Sequence, residues 1–502
     1  MKNKTLIIAA FALLASGVAH GQFNETNNLF YHTFRTPQSN RLNPAFFPNK
    51  NTYYTNILSL DVQFGSPLAI GDIIKPETQS DGSKINVIDV TGMLDQLTIE
   101  NRFRFGLDVD LLNIGFKVHN TFFNVGARLN TDINIGLPID VINFLRKGNV
   151  RTVNGVDVPV EETVLAGSNI FNAQMYGEFS LGAGHHFEAL NLTVGARAKL
   201  LYGIMNLNLD NTRVVVNTYG DNFDRVKLDA YYEVQAASVV PFNTEDDKLS
   251  IAMPGISDIL SFKNANMGLA FDVGAKYDMG PFSFSVAILD ISPGIHWKNN
   301  VGTITPQNGH DTMTLTGVNV SDVFNGGEMN ADTLVASLKE FVENIKPKFN
   351  LGGDYWYSIP TRINVGASYS FAKMFRAGFL FHGQLDKGLL PKKLTTADGN
   401  VITPENTFRW NSTFSFGVNV FNWMEVIAAS SIVSDGVSKF NFVDNCLNPG
   451  VGIILTPATV LQLYVMADYV SSLYVTKAKA ANLKFGLNVL IGNGGGKRVS
   501  RN

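Results

Sequence analysis

Cysteine is nearly absent: Cys446 stands alone in 502 residues, so neither an intramolecular disulfide nor a cluster of thiolate metal ligands can hold this fold. Excess charge of either sign is missing as well, with a formal net charge of −3 and a pI near 6.3. A chain so balanced offers no basic field to a polyanion, which excludes nucleic acid as a partner. Charged residues make up only 17%, little for a surface wetted all round. Beyond the first residues no run of 18 apolar residues occurs, and this removes helical membrane spans.

Catalytic signatures are also lacking. H-E-x-x-H, G-x-S-x-G and C-x-x-C do not occur. The stretch "IGNGGGKR" fails as a phosphate loop, because Ile491 stands where its first glycine belongs and Arg498 where Ser or Thr belongs. His185-His186 follows "LGAG" at an expected strand end and reads as a polar turn. A non-enzyme without cofactor or metal is therefore expected.

What is present begins with a secretory signal over residues 1–21. Lys2 and Lys4 precede the apolar run "LIIAAFALLA", and Ala19 and Gly21 suit a small-residue cleavage site. The run is too short for a membrane helix. No cysteine follows it, so a lipid anchor is not indicated.

The mature chain then shows a recurring period of two. In "NVGARLNTDINIG", Val125, Ala127, Leu129, Thr131, Ile133 and Ile135 share one face, opposed by Asn124, Arg128, Asn130, Asp132 and Asn134. The pattern returns in "LNLTVGARAKLLYG" (190–203), from Met267 to Met279, and at 282–289, 362–371, 375–382, 413–421, 461–470 and 483–490. Weaker runs start near Thr55, Phe103, Asn113, Phe171 and Val226. Many reach the roughly 9 to 11 residues that a tilted bilayer-crossing strand needs, beyond the 5 to 6 typical of soluble strands. A soluble barrel would show the same alternation with its apolar face inward. Export, strand length and large residues near strand ends favour the membrane: Tyr202, Tyr277, Tyr369, Phe371, Trp410 and Tyr469 suit interfacial girdles. Trp423 is out of phase with its strand.

The expected fold is all-β, a transmembrane antiparallel β-barrel of about 14 strands over residues 55–491. A long loop over 292–361 carries a helix at 331–346, a second short helix runs from Ile139 to Lys147, and residues 492–502 form a tail. Lipid-facing cations are costly. The polar faces therefore place Arg128, Asp132, Arg197, Lys199, Asp272, Lys276, Arg362 and Lys484 inside, either as a register-fixing ladder of ion pairs or as a conducting lining.

Residues 22–54 cannot join a sheet, since Pro37, Pro44 and Pro48 remove ladder donors. Phe30, Tyr31, Phe34, Phe46, Phe47, Tyr53 and Tyr54 give the segment more aromatic area than a solvated tail carries. Folding inward as a plug buries that area.

At "SNRLNPAFFPN", "RFGLDVDLLNIGFKVHNTFFNVGARL" and "NMGLAFDVGAKY" the chain resembles a family of Bacteroidetes outer-membrane barrels of unassigned function. Its Asn43-Pro44-Ala45 element is similar to that of FadL-type and PorV-like barrels, and to that of PorP/SprF-like proteins of type IX secretion and gliding. The resemblance implies a Gram-negative outer membrane, with a hatch centred on Asn40, Arg41, Asn43, Pro44, Ala45, Phe46 and Phe47. It also implies outer-membrane lipid as surroundings and passive uptake of a hydrophobic or small solute, released through the wall after a hatch shift. The alternative it implies is a barrel scaffold whose partners are secretion-system proteins. The chain departs from the common barrel ending, because "GNGGGKRVSRN" stands where a terminal aromatic is often found.

Overall fold

The computed structural model describes residues 28–33, 36–47, 53–69, 74–78, 83–88, 97, 101–136, 150–153, 156–159, 162–167, 171–219, 225–245, 248–250, 254–261, 265–316, 347–372, 374–385, 394–395, 401–402, 408–421, 423–434, 448–458, 460–468 and 479–492. The expected signal, the helices at 139–147 and 331–346, Cys446, Tyr469 and the tail beyond Gly492 lie outside them.

Fourteen long strands close an antiparallel barrel. They are β1 (Tyr53–Gly65), β2 (Arg102–Val118), β3 (Thr121–Gly136), β4 (Phe171–Phe187), β5 (Leu192–Tyr219), β6 (Asn266–Met279) and β7 (Phe282–Trp297). There follow β8 (Thr361–Phe371), β9 (Phe375–Leu385), β10 (Phe408–Phe421), β11 (Met424–Ser434), β12 (Asn448–Ala458), β13 (Leu461–Asp468) and β14 (Ala480–Ile491). Each pairs with its neighbour in sequence, and β1 closes on β14 from Tyr53↔Ile491 to Gly65↔Ala480. Among the described residues, closure gives each of the fourteen wall strands a partner on both sides.

The two ends differ. Tight turns at one end carry the left-handed residues that hairpins require, with φ of 52° at His119, 49° at Asn191, 59° at Gly280 and 48° at Ala372. Long connections fill the other end. There β5 runs on past the barrel and pairs through its upper half with Arg225–Ser238 and Glu162–Gly167. Val301–Pro306, Asp311–Thr316, Pro347–Leu351 and Tyr355–Tyr357 extend the same sheet. A separate core of Leu201, Ala237, Ala270, Ile295, Trp297, Val301 and Ile359 fastens this extension to the wall.

Apolar side chains point outward along the barrel: Leu111, Leu181, Phe271, Phe414 and Val465 are more than half exposed. Near the tight turns aromatic rings pack side by side on this outer face. Phe282 meets Tyr369 at 4.7 Å, Tyr369 meets Phe371 at 5.6 Å, and Phe371 meets Phe375 at 5.4 Å. Trp423 lies in the turn after β10, where strand phase no longer applies, and stacks on Phe421 at 5.3 Å.

Several expectations are corrected. Phe103 and Asn113 belong to one strand, β2, and the run at Val226 is in the extension rather than the wall. In their place stand β11 and β12, which the alternation did not reveal. Tyr202 is no girdle residue: it is buried with Ile204 and Val239 beneath the extension. The span 292–361, expected as a loop, holds the end of β7 and four extension strands.

Candidate functional site

The N-terminal segment lies inside the barrel. A helical turn at Asn28–Tyr31 and a 3₁₀ turn at Pro37–Arg41 are followed by Asn43-Pro44-Ala45, and residues 29–32 and 36–47 are buried. Asn43 accepts the Ala45 N–H at 2.8 Å, the Asx turn expected of an asparagine before proline. Its amide also donates to the carbonyls of Ala275 and Val286, both at 3.1 Å. Asn40 closes the loop from within by donating to the Phe46 carbonyl at 2.7 Å.

Contacts reach strands all round the barrel. Gln38 and Asn488 exchange amide hydrogen bonds at 2.9 and 3.0 Å. Asn364 donates to the Leu42 carbonyl at 2.7 Å, and the Tyr31 and Ser285 hydroxyls meet at 2.5 Å. Arg197 donates to the carbonyl of Asn40 and to its side-chain oxygen, and Arg41 pairs with Asp110. Phe46 packs against Tyr31 at 5.3 Å, and Phe47 stacks on Phe122 at 4.9 Å.

The wall is shaped to this segment by glycine. A Cβ at Gly195 would overlap the Pro44 carbonyl, at Gly274 the Asn43 side chain, at Gly366 the Tyr31 hydroxyl and at Gly378 the His32 ring. Only a residue without a side chain lets another backbone come so near. Three of these glycines are the centres of Val-Gly-Ala triplets, at 194–196, 273–275 and 365–367. A fourth triplet, at 125–127, faces Ser180 instead. The repeated triplet was the available sequence signal for the seat, and alternation alone passes over it.

His32 is fully enclosed, and both of its ring nitrogens lack a hydrogen-bond partner. Burial pushes its imidazole down to about 3, and the nearby Arg376 charge acts in the same direction. Burial also pushes the Tyr31 hydroxyl well above the usual phenol range.

The eight charged residues singled out in the sequence each have an ionic partner. Arg128 bonds Asp110 at 3.1 Å, Arg104 bonds Asp132 at 2.7 Å, and Lys276 bonds Asp278 at 2.7 Å. Lys199 sits between Asp272 at 2.9 Å and Asp290 at 2.6 Å, with Glu178 at 3.8 Å. Arg197 reaches Asp272 at 3.6 Å, Arg362 pairs with Asp290, and Lys484 with Asp468 at 2.5 Å. The acids Asp110, Glu178 and Asp290 were not anticipated. Asp290 was hidden by a β-bulge: Leu289 and Asp290 are both buried in succession, and Asp290 has φ 57°.

A profile described as a family of unknown function, DUF5723, matches residues 44–468. No curated protein sequence matches. Among solved structures, the toluene transporter TbuX of Ralstonia pickettii aligns over 91% of this chain and 94% of its own, at 9% identity and a TM-score of 0.43. A Pseudomonas aeruginosa FadL homologue aligns over 91% and 94%, at 8% identity and a TM-score of 0.42. The toluene transporter TodX of P. putida aligns over 89% and 91%, at 10% identity and a TM-score of 0.40.

Proposed function

The chain belongs to the family of unknown function DUF5723, and we propose that it is a plugged outer-membrane channel for passive uptake of a hydrophobic or small solute. One observation carries this reading. Eight strands make a bore that wall side chains fill, whereas 16 to 18 leave an aqueous channel. With 14 strands a wall of this size leaves room inside, and the buried residues 29–33 and 36–47 are in this reading what closes the lumen. Its contacts with the wall include many hydrogen bonds, which water can replace when the segment moves.

The outward apolar belt and the aromatic rim suit a bilayer, and in this reading the tight turns face the periplasm. Asn40, Arg41, Asn43, Pro44, Ala45, Phe46 and Phe47 act as the hatch. Arg128, Asp132, Arg197, Lys199, Asp272, Lys276, Arg362 and Lys484 line the path, and their mixed signs favour neither anions nor cations. The test is single-channel recording in planar bilayers of the mature chain and of a variant lacking residues 23–50. Discrete steps are expected to become larger and longer in the deletion variant. A deletion variant that folds and remains silent would remove the channel reading and favour a closed scaffold.

A further inference from the structure

Toward the long connections, beyond the buried segment, lies a cavity of about 70 Å³. Its wall comes from the upper parts of β1, β2, β3, β4, β8 and β9 together with residues 357–360. One water needs at least roughly 10–15 Å³ of such space, so this cavity is large enough to be occupied. Of the groups lining it, three stand out. Asn130, Asn172 and Gln174 are each more than nine-tenths buried, and the amide nitrogens of all three lack a hydrogen-bond partner. Buried donors left unpaired are costly and uncommon in native proteins. Three such side chains in the lining of one cavity mark a place where a ligand's acceptors belong.

The charges around the cavity narrow the class of that ligand. Arg104 is held by Asp132, Arg128 by Asp110 and Arg362 by Asp290. An ion entering here would meet guanidinium groups already neutralised by their own carboxylates. A hydrocarbon would meet few apolar partners, since Ile359 and Pro360 are almost alone in a lining of amides, ions and tyrosines. Hydroxyl groups fit both requirements, because each accepts from an amide N–H and donates to a carboxylate or phenol oxygen.

We propose that this chamber is a binding site for a small uncharged polyhydroxylated solute, a polyol or the hydroxyl edge of a sugar, held by the amides of Asn130, Asn172 and Gln174. The proposal deepens the uptake reading and rests on it for its physiological sense.

The test is saturation-transfer NMR on the full mature chain in detergent micelles, with erythritol and xylitol as probes and malate and toluene as comparisons. Transfer to the two polyols is expected, with little to malate or toluene. The Asn172→Leu/Gln174→Leu double variant should weaken polyol binding roughly fivefold to tenfold for each bond lost. Asn130→Asp, which keeps shape while removing the amide donor, should weaken it by a similar factor and serves if the double variant does not fold. Absence of transfer to either polyol, stronger transfer to toluene or malate, or binding unchanged in folded variants would overturn the proposal. Liposome swelling in the same polyols separates the two readings: binding without swelling sinks uptake and leaves the site standing.

Discussion

Strands β2 to β8 meet the N-terminal segment with ions, amides and glycine gaps, whereas β9 and β11 to β13 meet it with Leu380, Ile427, Ala429, Ile454, Tyr464 and Met466. Leu29, Phe30, Tyr31, Leu42 and Phe46 supply the apolar side of that contact. The ionic side is directional, since Asp110 and Arg197 each grip a specific atom of the segment. The apolar side tolerates sliding, because burial has no preferred direction. A segment held in this way has one wall that sets its register and another on which it can shift.

The sharpest way to break the comparison is Asp110→Ala. It leaves Arg41 of the segment facing Arg128 of the wall with no carboxylate between them. Removing one partner of a buried pair costs about 3–5 kcal/mol. Since part of that cost disappears when Arg41 leaves, the variant should expose residues 36–47 to protease while the barrel itself stays intact. Limited proteolysis with a heat-modifiability gel reads both. Equal protection in variant and parent would mean that the ion pair does not hold the segment.

On the other side, Ile427→Ala should cost about 2–5 kcal/mol through lost burial and the cavity left behind. The loss should appear in thermal unfolding of the whole barrel, because Ile427 packs on wall and segment alike. Selective release of residues 36–47 in this variant, with an unchanged melting temperature, would erase the distinction between the two walls.

The same chemistry decided how much could be read in advance. On β3, β5 and β6 polar inward faces alternate with apolar outward ones, so strand, face and residue were all legible at Arg128, Arg197 and Asp272. On β11 the inward Ile427, Ala429 and Val433 are as apolar as its outward neighbours. Without contrast between the faces, period two vanishes, and neither β11 nor β12 stood out. The total of 14 strands was met only because two missed strands were replaced by two runs that are not separate wall strands. Asp290 was illegible for a local reason, the bulge that shifts the phase of β7.

The glycine seat gives a smaller effect within the ionic half. Gly274→Ala would push against Asn43, whose position is fixed by its bonds to Ala275 and Val286, and overpacking of this kind costs about 1–3 kcal/mol. Gly126→Ala meets only the Ser180 hydroxyl, 2.6 Å away and free of the segment. Hydrogen exchange over residues 36–47 should accelerate in the first variant and not in the second. Matching behaviour would show that the Val-Gly-Ala triplets serve barrel closure rather than the seat.

The smallest effect comes from His32, seated against Gly378 where the two walls meet. Enclosed, its imidazole is lowered to about 3, while in a released segment it returns to its ordinary value of 6.5. The seated form therefore binds fewer protons between these values, and its advantage is complete above pH 6.5 and shrinks as pH falls toward 3. At pH 5.5, one unit below the free value, the loss is about 1.4 kcal/mol, or roughly tenfold in the population of released segment. Amide exchange over residues 28–33, corrected for intrinsic rates, should show that increase between pH 7.5 and pH 5.5. His32→Gln removes the titrating group and should flatten the dependence. A slope that survives the substitution would place the acid sensitivity on a group other than His32.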